Sequence, residues 1–318
     1  MRVLVVTSMY PTPSHPALGR FVHDQVEALR EQPGLEIELF VIEPGGKGRW
    51  LHAARELRRR FRDTRFDLVH AHHGLTGWSA VALRGPPLIV TFHGTDLSHR
   101  VVGPMSRVLA RAIDLAAPVS SSLARFAGGG LPGAGETRRA AILPTGVNLD
   151  RFAPRDRAGA RERLGLRPDG RYLLFPADPR RPEKRGERAR ELAAAAGGVE
   201  LLTYGGLAPE QVPDMVNAAN AVVATSEREG YGLAPLEALA CDVPVLSTDV
   251  GIAPLALRGI AGTLCAPFDR DAWLPALRPH LDDPDPRVEG RRRASLFDSN
   301  RMAERVFAAY REIAREAQ

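Results

Sequence analysis

The sequence predicts an α/β protein built from two doubly wound, mostly parallel sheets. Three observations predict it. Short apolar runs alternate with helical patterns along the whole chain, the signature of repeated βαβ units. The 318 residues suit two domains of about 150 each. Hydrophobic residues make up 44% of the chain, enough to fill a core in each half.

In the first half, apolar runs predict strands at Val3–Thr7, Glu36–Val41, Leu68–His70, Leu88–Phe92, Pro118–Ser120 and Ala141–Leu143, with helices between most of them. In the second half strands are expected at Tyr172–Pro176, Glu200–Thr203, Ala221–Ala224, Val243–Ser247 and Gly262–Cys265. Helices are expected at Glu183–Ala196, Pro209–Ala218 and Ala234–Cys241. Proline and charge interrupt the pattern at Phe152–Asp156, where the two domains should join. A last helix, from Asn300 to about Glu316, carries Met302, Val306, Phe307, Tyr310 and Ile313 at helical spacing. The glycine-rich run Gly128–Gly135 contains a formal dinucleotide fingerprint, but without a strand before it and a helix after it the run reads as a surface loop.

Composition narrows the function. The formal charge is +5, and nearly all of the 43 basic residues are arginine, which suits anionic ligands or an anionic membrane surface. Aromatic content of 6% and the lack of a recognised motif argue against nucleic acid. Two cysteines, Cys241 and Cys265, indicate no disulfide framework and suit a reducing cytoplasm. The apolar run Val3–Val6 is too short for a signal segment, and no stretch approaches the ~18 residues of a membrane span. The helix around Arg55–Arg62 sets arginines about a stripe of Trp50, Ala54, Leu57 and Phe61, a pattern that serves a core-facing helix and also a helix lying on lipid headgroups.

The most informative stretch runs from Ser226 to Cys241. Two glutamates, Glu229 and Glu237, flank a Gly230-Tyr231-Gly232-Leu233 loop that leads into a helix. Gly230 and Gly232 let backbone approach a ligand, and Pro235 suits the first helical turn. Free amides there attract a diphosphate, Glu237 can accept from ribose hydroxyls, and Glu229 can reach a sugar. The next residues are Ala240-Cys241-Asp242-Val243-Pro244-Val245.

This stretch resembles the retaining glycosyltransferases of family four, whose C-terminal domain carries Glu, seven residues and Glu, followed by an Ala-Cys-Gly-x-Pro-Val type of segment; Asp242 stands where glycine is usual. The segment Leu143–Phe152 is similar to the family's link between domains, with Thr145 and Asn148 in place of the usual asparagine and aspartate. The resemblance implies a GT-B fold, with two Rossmann-like domains facing a cleft. Residues 1–155 would form the acceptor side, 156–297 the nucleotide-sugar side, and 298–318 a terminal helix crossing back to the first domain.

Further residues follow from that resemblance. Gly19 and Arg20 open a helix after the first strand, where the family keeps a Gly-rich loop near the diphosphate and acceptor. His93, at the end of Leu88–Phe92, is implied to contact the donor hexose, with Asp96 beside it to hold or deprotonate the acceptor hydroxyl. Asp67, His70 and His72 match the family's Asp-x-x-His-x-His, so that His72 would line the acceptor cleft; a metal site at the imidazoles of His70, His72 and His73 is not expected, since no carboxylate or cysteine completes one at a recognised spacing. Arg180 or Arg181, with Lys184, would neutralise the leaving diphosphate. Gly205 fits a loop beside the base, and Ser226 a contact with ribose or phosphate. The activity implied is transfer, with retention, of a hexose from a UDP- or GDP-sugar to a glycan, lipid-linked or small-molecule acceptor, with no cofactor required. A nucleotide-sugar epimerase on the same fold and a non-catalytic partner subunit are the alternatives. The expected location is the cytoplasm, with peripheral contact at the inner face of the membrane as a further reading.

Overall fold

The computed structural model describes residues 1–126 and 139–317, in two compact units. The first comprises Met1–Gly146 and the chain from Ser299 onward; the second is Val147–Asp298. The Gly128–Gly135 run lies outside the described residues.

In the first unit the strands are β1 (Arg2–Thr7), β2 (Glu36–Val41), β3 (Leu68–His72), β4 (Leu88–Phe92), β5 (Leu115–Pro118) and β6 (Arg139–Ala140). They form one parallel sheet in the order β2-β1-β3-β4-β5-β6. Every residue of β3 and β4 is buried, as in strands covered by helices on both faces. The helix Arg20–Arg30 and the terminal helix Ser299–Glu316 share one side of this sheet. Val22, Val26 and Leu29 from the former meet Val306, Phe307, Tyr310 and Ile313 from the latter, over Val3 and Val5.

The second unit holds β7 (Tyr172–Phe175), β8 (Glu200–Thr203), β9 (Ala221–Ala224), β10 (Val245–Ser247) and β11 (Leu264–Cys265), again all parallel, in the order β11-β10-β9-β7-β8. Its core gathers Leu173, Phe175, Leu192, Val223, Leu246, Trp273 and Leu277.

Several expectations need correction. The chain divides after Gly146 rather than in Phe152–Asp156, because the linking residues already belong to the second unit: Phe152 is buried, and Arg291 donates to the carbonyls of Leu149 and Phe152 at 3.1 and 2.7 Å. The strand expected at Pro118–Ser120 ends at Pro118, and the one expected at Ala141–Leu143 lies earlier, at Arg139–Ala140. The helix read from Glu183 begins at Gly186, after a short 3-10 turn at Pro182–Lys184, and that read from Pro209 begins at Val212 after another at Pro209–Gln211. In the helix Arg49–Arg60, Ala53 and Leu57 face the core while Ala54 is half-buried, a one-residue rotation of the expected stripe.

Candidate active site

In both units the candidate residues sit just past the carboxyl ends of strands, where open α/β sheets bind ligands. In the second unit, β7 leads to the 3-10 turn Pro182–Lys184 and β9 to the loop from Thr225 to Leu233. Three hydrogen-bond contacts stitch these loops together. Thr225 Oγ1 donates to the carbonyls of Lys184 and Arg185 at 3.1 and 3.0 Å, and the Glu227 amide donates to the Glu183 carbonyl at 2.9 Å. The stitching brings Lys184 Nζ to 2.5 Å from Glu229 Oε1, and Ser226 Oγ donates to the same oxygen at 2.7 Å. Both side chains of the ion pair are only 15 and 19% exposed, so the pair is a defined feature of the site rather than a solvated contact.

The Gly-Tyr-Gly loop is shaped by its glycines. Gly232 has φ +79°, and a Cβ there would press on Glu229 Cγ at 3.1 Å. Gly251, at φ +61°, backs the loop so closely that a Cβ would overlap the Tyr231 carbonyl, while the next amide, of Ile252, donates to that carbonyl at 2.7 Å. Tyr231 itself is buried, and Gly230 and Leu233 are half-buried. Glu237 lies in the first turn of the helix Ala234–Ala240, with Pro235 in the same turn. Its Oε1 is 3.9 Å from Arg151 Nη2, and burial, reinforced by the Glu237 charge, raises the Tyr204 phenol well above its ordinary pKa. Sequence reasoning did not assign Arg151; its signal was the cation placed at the link segment's end.

The two arginines are placed differently from Lys184. Arg180, 86% exposed, is clasped by Asp178, whose carboxyl the hydrogen bonds from Arg180 hold down to about 2. Arg181 pairs with Glu183 at 2.6 Å. Lys184 is thus brought to Glu229, while each arginine is neutralised by a carboxylate two residues away. Gly205 is exposed on the loop after β8.

Asp242 occupies a backbone position with φ +55°, in the region that favours glycine. Its Oδ1 accepts from the amides of Gly290 and Arg291 at 3.0 and 2.7 Å. The departure from the usual glycine is therefore accommodated locally, since aspartate tolerates this conformation better than most residues.

The first unit presents imidazoles. His70 is fully buried, with Nδ1 2.6 Å from the Tyr310 hydroxyl and Nε2 2.7 Å from Thr91 Oγ1, so it ties β3 to β4 and to the terminal helix. Burial lowers it to about 3. His72 Nδ1 lies 3.1 Å from His93 Nε2, and the two rings stack with centroids 5.4 Å apart. Burial, with repulsion from His70 on His72 and from His72 and His73 on His93, pushes both well below the ordinary imidazole value, so this contact joins two neutral rings. Phe21, from the helix that Gly19 opens, packs on His93 at 5.1 Å. Gly19 has φ +61° and sits directly against the Met9 backbone, a contact that admits no side chain. Arg20 pairs with Asp24 at 3.4 Å.

Asp96 has a different employment from the acceptor role expected of it. It has no exposed surface. Its carboxyl accepts from the amides of Gly94 at 2.8 Å, His93 at 3.1 Å and Gly74 at 3.3 Å. Desolvation raises its pKa in spite of those bonds. Its place is that of a clamp holding the His93-Gly94 turn beside the end of β3. Among the described residues, no group of three histidine, cysteine, aspartate or glutamate side chains is arranged to hold a metal ion.

Two parallel-sheet units with charged and imidazole-bearing loops at their carboxyl ends define a GT-B glycosyltransferase architecture. Solved structures share it: sucrose-phosphate synthase from Thermosynechococcus elongatus superposes with a TM-score of 0.74 at 18% identity, covering 98% of this chain and 99% of that one. Anabaena HepE, solved with UDP and glucose, gives 0.72 at 15% identity over 98% of this chain and 100% of that one. The model for Glycosyltransferase Family 4 matches residues 2–151, and that for Glycosyl transferases group 1 matches 183–296. A D-inositol 3-phosphate glycosyltransferase of Geodermatophilus obscurus is 30% identical over 309 residues, covering 79% of this chain and 67% of that protein. One from Streptomyces avermitilis is 30% identical over 277 residues, with 69 and 58% covered. The chain belongs to glycosyltransferase family four.

Proposed function

We propose that this glycosyltransferase moves a hexose from a UDP- or GDP-sugar to an acceptor hydroxyl with retention of anomeric configuration. The observation that carries the reading is the Lys184–Glu229–Ser226 cluster, whose Glu229 lies eight residues before Glu237 on one loop and helix. Glu229 and Ser226 offer hydrogen bonds to sugar hydroxyls, Glu237 accepts from the ribose, and Lys184 supplies positive charge where a diphosphate leaves. Arg180 or Arg181 joins it by exchanging its local carboxylate for phosphate. With these cations the reaction needs no metal. His93, neutral and held by Asp96 and His72, donates or accepts a hydrogen bond at the transferred sugar.

In the step itself, the bond from the anomeric carbon to the diphosphate oxygen breaks and a bond to the acceptor oxygen forms on the same face. The acceptor proton passes to the departing phosphate oxygen. No carboxylate nucleophile is assigned, so trapping a covalent glycosyl-enzyme would overturn this route. Relatives that bear the name D-inositol 3-phosphate glycosyltransferase make phosphorylated cyclitols the first small-molecule acceptors to assay, ahead of glycan and lipid-linked ones.

The test is calorimetric titration with UDP, GDP and their hexose conjugates, with and without magnesium. Binding of one nucleotide, weakened at least tenfold in Glu237→Ala and indifferent to magnesium, is the expected result. Conversion of the sugar nucleotide alone, without acceptor, would replace the transferase reading with epimerisation, and the absence of all nucleotide binding would replace it with a partner subunit.

A further inference from the structure

Large apolar side chains are exposed together on one part of the first unit. On the helix Val102–Ala110 and the residue before it, Val101 is 65% exposed, Met105 41% and Val108 54%, at spacings of four and three that place them on one face. The neighbouring helix Gly74–Ala80 adds Trp78, and Val81 follows three residues later. Trp78 Nε1 donates to the Met105 carbonyl at 3.2 Å, which joins the two helices' contributions into one patch.

The charge around this patch is predominantly positive. Arg100 precedes Val101, Arg111 continues the stripe three residues after Val108, and Arg84 stands three residues after Val81; all three are exposed. The third helix of this group, Arg49–Arg60, packs on Gly74–Ala80 and contributes exposed Leu51, Arg55, Arg58, Arg59 and Arg60. Between residues 44 and 112 the chain has twelve arginines and lysines against four acids, of which Asp96 is buried. That excess exceeds the +5 of the whole chain, so the rest of the protein is net negative.

We propose that this face docks on an anionic lipid bilayer surface, with Trp78, Val101, Met105 and Val108 entering the interfacial layer and the arginines meeting the headgroups. Apolar patches on soluble folds mark docking surfaces, and amphipathic surfaces of this kind bind by apolar insertion together with attraction to anionic lipid. Tryptophan suits the depth where bilayer meets water. The arginine-rich border, twelve basic residues against four acids, selects an anionic surface over a second copy of the chain, which would bring an excess of like charges together.

The experiment is sedimentation of the full chain with vesicles of phosphatidylcholine alone and with added phosphatidylglycerol, read together with Trp78 fluorescence against Trp78→Phe. The expected result is binding to the anionic vesicles alone, falling about tenfold from low to high salt, with the Trp78 emission shifted to the blue. Met105→Ser with Val108→Ser should reduce binding at least fivefold, as should Arg100→Glu with Arg111→Glu, with thermal unfolding unchanged because these side chains are exposed. No binding to anionic vesicles by folded protein would overturn the proposal, as would binding unaffected by both pairs of variants. Light scattering that shows a dimer dissolved by Met105→Ser with Val108→Ser would overturn it in favour of self-association. Nucleotide binding is read separately, so failure here leaves the donor site's assignment standing.

Discussion

The two units solve the same topological problem with opposite electrostatics. Beyond β7 and β9, the candidate site is made of charges in pairs: Lys184 with Glu229 at 2.5 Å, and Arg151 with Glu237 at 3.9 Å. Beyond β3 and β4 it is made of neutral rings, His72 against His93, with His70 behind them locked between Tyr310 and Thr91. The difference teaches what each loop set can do. Paired charges can exchange partners with an anionic ligand and respond to charge that develops during reaction. Buried neutral imidazoles hydrogen-bond but do not take up a proton near neutral pH, which suits recognition of hydroxyls and a fixed geometry.

Breaking the charged side should have the largest effect. Lys184→Ala removes the cation proposed to meet the leaving diphosphate and leaves Glu229 with Ser226 but no counter-charge; kcat should fall by about 10²–10³, in line with the loss of one preorganised charge-stabilising donor. Steady-state turnover of the identified donor checks this, and a fall confined to KM would contradict the assignment. Backbone shape comes next. Gly251→Ala forces a side chain into the Tyr231 carbonyl at positive φ and should cost about 3 kcal/mol or more, as overpacking and strain combine. Gly34→Ala, also at positive φ (+76°) but with open space around it, isolates the conformational cost at about 1 kcal/mol. Denaturant unfolding of the two variants side by side measures the contrast.

The neutral side makes a pH prediction. His70 falls from an unfolded value near 6.5 to about 3 when folded, because burial opposes its charge. The unfolded chain therefore binds the proton first. Stability is fully present above about pH 6.5 and declines as pH falls towards 3, at up to ~1.4 kcal/mol per pH unit from this group. His72 and His93 are lowered in the same direction and should steepen the slope. Unfolding midpoints at pH 7.5 and 5.5, compared with His70→Gln, check the sign; greater stability at the lower pH would refute it. The smallest expected change is Asp242→Gly. Relief at φ +55° opposes loss of the bonds from Gly290 and Arg291, so a shift within about 1 kcal/mol is predicted by thermal unfolding.

Much of the fold was legible because parallel strands buried on both faces leave unbroken apolar runs, such as Leu68-Val69 and Leu88-Ile89-Val90. The Glu229–Glu237 loop was legible because glycine, proline and acid spacings are local. Side-chain employment was not. Asp96 and His72 look alike in a sequence as candidates at strand ends, yet the first serves three backbone amides and the second an imidazole. Nor did the pairing of Arg180 with Asp178 show, although only two residues separate them, because it depends on the turn that aims both outward.

By itself, then, the sequence determined the two-sheet α/β class, the family and the loops that carry charge, since each depends on periodicity or on residues within about ten positions of one another. Tertiary structure decided what those residues meet. His70 and Tyr310 lie 240 positions apart and form a 2.6 Å hydrogen bond; Lys184 and Glu229, 45 apart, form the ion pair at the centre of the candidate site. Contacts of that range are set by which strands neighbour one another and how helices pack across them, so no local pattern encodes them.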